Sequence, residues 1–186
     1  MTRSPRIAPL EPPFAAGVQE TLDRWMPRNV PVPPLALFRT LAAHPALADA
    51  MRPLGAFLLG KAPRLSRRDR ELAILRTCAR AGAAYEWGVH ATAFAEAVGL
   101  SPQQVADTAT ASTGAFDARE RALVAAMDEL HDTATLSDAA WTALCSHWDE
   151  EQRMELLALA GFYRLIALFV NALAVPKEPW AAAMPA

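Results

Sequence analysis

The sequence predicts an all-α fold, and three observations carry that prediction. From Leu35 onward apolar residues recur at helical spacing, with no convincing strand alternation. Helix starts are marked by side chains able to satisfy the free N–H groups of a first turn. The stops fall on Gly82, Gly99 and Pro176, residue types that leave a helix or bar its extension.

In chain order, residues 1–34 form a proline-rich arm containing Pro12-Pro13 and Pro33-Pro34; proline removes donors and disfavours helix in the residue before it. The arm is expected to wrap over a neighbour, with room for a short helix around Ala15 to Trp25. Helices are then expected at 35–43, 46–60, 67–81, 84–98, 102–111, 118–132, 138–147 and 150–173. Ser66 caps the third of these. Ser101-Pro102-Gln103-Gln104 combines a cap, a proline at the first helical position and a glutamine three residues after the cap; Asp117 to Glu120 and Asp149 to Gln152 have related spacings. The stretch 66–111 reads as helix–turn–helix–turn–helix, and no fixed-period repeat argues a solenoid.

A chain of 186 residues suits one sizeable core. Its hydrophobic fraction of 53% against 20% charged residues leads us to expect apolar surface covered by other subunits, hence an oligomer. A formal charge of -2 gives no reason to expect nucleic acid or anionic lipid as a partner. Cys78 and Cys145 make no CxxC or zinc spacing, so neither a disulfide framework nor a metal site is indicated, and both read as buried small hydrophobes. The N-terminal MTRSPRIAPLEPPF lacks the continuous apolar stretch of a signal peptide, which makes the cytoplasm the expected compartment. Leu156 to Val175 is interrupted by Gly161, Tyr163, Arg164 and Asn171 and reads as a core or interface helix rather than a membrane span.

The residues with chemical potential cluster in two adjacent helices. Leu72, Leu75, Cys78 and Ala79 give the first an apolar face, and Glu71 lies next to it. On the next helix Glu86 and His90 are four apart, on one side, so that a carboxylate can orient an imidazole and raise its basicity. The same spacing fits a structural reading: Glu86 favouring the positive end of its helix, His90 packed with a satisfied N–H, and Tyr85 and Trp87 as core aromatics. Two ligands with no identifiable third are too few for a metal. His44, His131 and His147 fall at helix ends, where a structural role suffices.

The segment ELAILR…GAAYEWGVHATAFAEAVGLS resembles the signature of the carboxymuconolactone decarboxylase family, within the alkylhydroperoxidase D-like superfamily. The likeness extends over roughly residues 35–178, with HPALADAMRPLGAFLLGKAPRLSRRDR before it and FDARERALVAAMDELH, LSDAAWTAL and GFYRLIALFVNALAVP after it, as in the longer bacterial members. That leaves 179–186 as a C-terminal tail. The redox branch of the superfamily has a glutamate, a CxxC beginning twelve residues later and a histidine four residues after the second cysteine. On this chain the glutamate falls on Glu71, the cysteine positions on Ala83 and Glu86, and the histidine on His90, with Tyr85 just before the second cysteine position. Both thiols are absent, which excludes CxxC-based peroxide chemistry.

The resemblance implies a cofactor-free acid–base enzyme of decarboxylase or isomerase type acting on a small organic acid or lactone. His90 would be proton donor or shuttle with Glu86 orienting it, Glu71 a second acid–base group, and Tyr85 a hydrogen-bond donor to developing oxyanion charge. Arg76 and Arg80 are the nearby cations in sequence for a substrate carboxylate. The resemblance also implies homo-oligomers, trimers or hexamers. Two alternatives stay open. One is a non-catalytic oligomeric binding protein whose site is closed by Tyr85 and Trp87; the other is thiol peroxidase chemistry through Cys78, which needs that cysteine exposed.

Overall fold

A single helix, α4 (Arg67–Arg80), organises the molecule. The computed structural model describes residues 4–26 and 33–185; residues 1–3, 27–32 and 186, parts of the expected arm and tail, lie outside it. Around α4 are α1 (Ala16–Trp25), α2 (Ala36–Leu41), α3 (Pro45–Leu59), α5 (Ala84–Ala93), α6 (Pro102–Asp107), α7 (Ala118–Thr133), α8 (Asp138–Cys145) and α9 (Glu150–Ala172). Among the described residues there is no strand. The fold is all-α, as the helical spacing predicts.

Every residue of α4 from Asp69 to Cys78 is buried, because α5, α7 and α9 pack against it on different sides. A helix enclosed in this way must satisfy its charged side chains internally. Asp69 takes both terminal nitrogens of Arg119 at 2.6 Å and the Trp148 indole N–H at 3.3 Å, and the Arg119 guanidinium also stacks 4.4 Å above the Trp148 ring. Arg70 donates to the carbonyls of Leu58 and Gly60 at the end of α3. Arg76 pairs with Asp128 through two bonds of 2.6 and 2.7 Å and donates to the carbonyls of Thr108 and Thr110. Arg70 and Arg76 are buried, their forked donors closing the ends of two neighbouring helices.

The starts follow the capping signals. Ser66, Ser101, Asp117 and Asp149 each accept from the backbone N–H three residues on, with the last three completing reciprocal capping boxes through Gln104, Glu120 and Gln152. Two helices stop well short of their expected ends. The predicted helix 84–98 ends at Ala93: the His90 carbonyl receives both the Phe94 and Ala95 N–H groups, the chain opens at Phe94, and a three-residue 3₁₀ turn, Glu96–Val98, follows. The predicted helix 102–111 ends at Asp107, where Arg76 holds the Thr108 and Thr110 carbonyls.

The described part of the N-terminal arm lies on its own chain. Arg6 donates to the Ala172 and Leu173 carbonyls, the Leu10 N–H to the Arg39 carbonyl, and α1 packs on α3 with Arg24 paired to Asp49 at 2.8 Å. The C-terminal segment folds back across α5, where the Ala182 N–H donates to Thr92. Gly88 is required there, because a Cβ at that position would collide with the Ala182 carbonyl. α9 packs on α3, α4, α5 and α8 and leaves Met154, Leu157, Leu165 and Leu168 exposed. It is long and apolar enough to cross a membrane by length and composition, with 44% of its most apolar stretch buried inside the fold.

Candidate functional site

Three helices bring the site together. α4 and α5 are joined by a tight turn in which Gly82 adopts φ 62°, while the Ala83 and Gly82 N–H groups return to the carbonyls of Cys78 and Ala79. This turn folds α5 back on α4, and α9 closes the third side.

At the centre stands His90, 4% exposed. Its Nδ1–H donates to Glu71 Oε2 on α4 at 2.7 Å, which leaves Nε2 to accept from the Tyr163 hydroxyl on α9 at 3.1 Å. Glu86, one turn before His90 on α5, has its Oε2 3.7 Å from the same Nε2. The expected assignment is thereby reversed: Glu71 orients the imidazole, because its carboxylate meets Nδ1 in line, and Glu86 stands beside the ring without bonding it. Glu86 and Glu71 are nevertheless both within the buried cluster.

Burial pushes the Glu86 carboxyl up to about 7; the adjacent His90 opposes that rise and the charge of Glu178 adds to it. For His90, burial works against a positive charge, but the Glu71 carboxylate, its hydrogen bond and the neighbouring Glu86 outweigh it and hold the imidazole above its ordinary value. The site therefore sets a carboxyl that exchanges its proton near neutral pH one turn from an imidazole whose charged form is favoured. Burial drives the Tyr163 hydroxyl well above its ordinary value, so it acts as a neutral donor.

His90, Glu86 and Tyr163 line a cavity of about 660 Å³. Its walls are mostly apolar, with Phe38, Phe94 and Phe162 among them, and Arg24, Arg52, Leu59 and Trp180 also line it. Phe94 also packs on the imidazole at 5.0 Å between ring centroids. Glu71 does not line this space; it acts from behind the ring.

Tyr85 is placed differently from expectation. Its hydroxyl donates to Glu178 at 2.6 Å and accepts from the Leu37 N–H at 3.1 Å, and burial, with the Glu178 bond, raises its pKa far above the ordinary value. It is thus committed to anchoring the C-terminal segment and is absent from the cavity lining. Trp87 likewise turns away, its indole donating to Thr108. The cavity is not closed by these two aromatics. Arg76 and Arg80 are bound to Asp128 and Asp132 and do not reach it.

Cys78 is fully buried, and burial together with the charges of Glu86 and Glu71 raises its thiol well above the ordinary value, so it meets neither the exposure nor the thiolate character that peroxide chemistry needs. Cys145, expected to be buried, is exposed on the short helix α8. Among the described residues no group of three or more His, Cys, Asp or Glu side chains is arranged to hold a metal ion.

Sequence reasoning missed Tyr163, Glu178 and Arg52. For Tyr163 a signal existed: it is one of two tyrosines in the chain and lies in its most apolar run, where a buried hydroxyl needs a partner. Glu178 and Arg52 come from segments with no local pattern pointing at the site.

Residues 45–129 match the model of the carboxymuconolactone decarboxylase family. No curated protein matches the chain. Several solved structures share its fold. A peroxidase-related protein from Silicibacter sp. TM1040 aligns with a TM-score of 0.78 at 18% identity, covering 96% of each chain. An alkylhydroperoxidase AhpD core protein from Ralstonia eutropha JMP134 aligns at 0.78 and 18%, covering 93% of each chain. A variant of the debrominase Bmp8 in complex with 2,3,4-tribromopyrrole aligns at 0.76 and 17%, covering 97% of this chain and 95% of that one. At these identities the likeness is one of fold. The chain is therefore similar, over residues 45–129, to the carboxymuconolactone decarboxylase family, shares its helical fold with these solved structures, and has no CxxC thiol pair.

Proposed function

We propose that this protein is a cofactor-independent acid–base enzyme, of carboxy-lyase or isomerase type, acting on a small organic acid or lactone bound in the cavity. The observation that carries the reading is the pairing of His90 with two carboxyl groups in different positions. Glu71 is bonded to Nδ1 and fixes the ring, while Glu86, with its carboxyl raised to about 7, faces the cavity beside Nε2. Such a pair can take a proton from a carbon next to a carbonyl and return it elsewhere. It can also protonate the carbon on which carbon dioxide leaves its bonding electrons, as the resemblance implies. Glu86 and His90 are the proposed proton carriers, Glu71 the orienting group, and Tyr163 a donor that holds Nε2 when substrate is absent. Tyr85 takes a supporting place, through Glu178.

The reading is tested by incubating the protein in D₂O with a panel of lactones and organic acids and following carbon-bound deuterium or loss of carbon dioxide. Turnover by the native protein that vanishes in folded Glu86→Gln and His90→Gln variants supports it. Ligands that bind in the cavity without exchange or turnover would put the non-catalytic binding protein first. A homo-oligomer remains part of the proposal, supported by the exposed apolar residues of α3 and α9.

A further inference from the structure

The outward face of α9 departs from the rule that the solvent side of a helix is polar. Its exposed positions run as a stripe through Met154, Leu157, Gly161, Leu165 and Leu168, and the four large side chains are 71%, 39%, 39% and 58% exposed. Arg164 borders the stripe, its guanidinium turned to His131 on α7.

The stripe is symmetric about its centre. Met154 and Leu168 lie seven residues either side of Gly161, and Leu157 and Leu165 lie four residues either side. At about 100° per residue all four fall within roughly 40° of the direction in which Gly161 faces, along about 21 Å of helix. Glu151 and Asn171, ten residues either side, end the stripe with polar groups tied to their own chain: Glu151 pairs with Arg64 at 3.2 Å, and Asn171 donates to the Ala81 carbonyl at 2.9 Å.

Gly161 has no use within its own fold. Glycine weakens a helix interior, and a Cβ here would meet nothing within 4 Å, unlike one at Gly88. What its missing side chain permits is the close approach of another helix from outside. A twofold axis gives every residue of the stripe a partner. When two α9 helices lie antiparallel with the axis between their Gly161 residues, Leu165 of one copy stands level with Leu157 of the other, and Leu168 with Met154. At each level the two side chains fall on opposite sides of the stripe, so they interdigitate. A foreign partner requires no such symmetry. A helix lying on a membrane surface is flanked by Lys and Arg, whereas the first turn of α9 carries Glu150 and Glu151.

We propose that α9 is the contact between two copies of this chain, an isologous antiparallel pair crossing at Gly161. This contact gives the homo-oligomer proposed above its face and symmetry; it rests on that part of the proposed function and not on the acid–base reading. The other side of the same helix carries Phe162, Tyr163 and Ile166, which line the cavity, so each copy backs a wall of its partner's site.

The test is analytical ultracentrifugation of the full chain and of Gly161→Leu and Leu168→Glu, together with disulfide trapping. The native chain is expected at twice its 20.1 kDa or at a higher even multiple. Gly161→Leu adds bulk only outward, and Leu168→Glu places a carboxylate in a contact made twice, so each should raise the dissociation constant about a hundredfold or more with helical circular dichroism retained. Trapping uses a Cys145→Ser background, because Cys145 is exposed. Leu157→Cys/Leu165→Cys should form a covalent dimer under mild oxidation. Either cysteine alone should not, because the antiparallel pair sets its two copies about 12 Å apart along the axis, beyond disulfide reach. A covalent dimer from either single cysteine, or none from the double variant, would overturn the antiparallel crossing. An odd-numbered assembly, or one that withstands both Gly161→Leu and Leu168→Glu, would overturn this contact and leave a homo-oligomer built on another face. A native chain that stays monomeric would overturn both, and flotation of that monomer with phosphatidylcholine vesicles would assign the stripe to lipid.

Discussion

Glu71, from the preceding helix, is the carboxylate bonded to His90: its Oε2 lies 2.7 Å from Nδ1, whereas Glu86, the neighbour within the same helix, stays 3.7 Å from Nε2. Two acidic residues of the same type thus hold different offices around one ring. The difference arises because the α4–α5 turn delivers Glu71 to the edge of the imidazole, while one helical turn sets Glu86 alongside it.

The first prediction concerns the imidazole. His90 is held above its ordinary value in the fold, so its proton is bound more tightly folded than unfolded. Its contribution to stability is fully present below about pH 6.5 and is lost as pH rises through the higher folded value. In Glu71→Gln the main opposing influence to burial is gone, and the His90 titration followed by NMR should move to lower pH. An unmoved midpoint would mean that Glu71 does not govern the ring.

Glu86 gives a second pH dependence of the same sign. Its carboxyl rises from 4.5 to about 7 on folding, so the folded chain binds the additional proton between these values. The stabilisation is complete below the lower value and is lost through the upper, on the order of 3 kcal/mol across the window. Urea unfolding of Glu86→Gln at pH 5 and pH 8 should show a smaller decline than the native chain. A decline as steep as the native one would assign the titration elsewhere.

Tyr163→Phe removes the hydroxyl that reaches His90 Nε2 while keeping the ring that packs edge-on to the imidazole at 5.2 Å. The expected cost is about 1 kcal/mol, a fall of roughly 2–4 °C in Tm for a chain of this size. A loss several times larger would show that the hydroxyl supports more than this one bond.

Gly88→Ala tests the C-terminal segment. The added methyl group collides with the Ala182 carbonyl, and the segment must lift away from α5. Acrylamide quenching of tryptophan fluorescence should increase as Trp180 leaves the cavity wall, with helical circular dichroism retained. Unchanged quenching would show that the segment can shift without leaving.

Arg76→Ala and Arg80→Ala should separate sharply. Arg76 is buried with Asp128 and two carbonyls, and its removal strands them at a cost of about 3–5 kcal/mol. Arg80 is 35% exposed at its side chain and pairs with Asp132, a contact worth under about 1 kcal/mol. Similar melting temperatures for the two variants would contradict this account.

The architecture was legible because its signals are local. Ser66, Ser101, Asp117 and Asp149 mark helix starts through bonds three residues long, and Gly82 and Gly99 mark stops through their own backbone angles. The cluster of Glu71, Glu86 and His90 was legible through spacing and resemblance, yet the division of labour was not. Spacing shows that Glu86 can touch His90; only the packing of α4 on α5 decides that Glu71 does. Tyr85 illustrates the opposite limit, since its partner Glu178 is 93 residues away and no periodicity connects them. Arg52 belongs to the same class, being a cavity residue only because α1 and α3 meet there.

Between Asp69 and Cys78, α4 has no face turned to water. Amide protons along such a helix exchange with solvent only when the surrounding helices separate, which is to say through opening of the whole molecule. The glutamate that sets the tautomer of His90 is seated on that stretch, so fraying at the termini leaves its position untouched. Deuterium uptake at Glu71 should therefore report the lifetime of the intact fold, and the proton chemistry should persist until cooperative unfolding ends it.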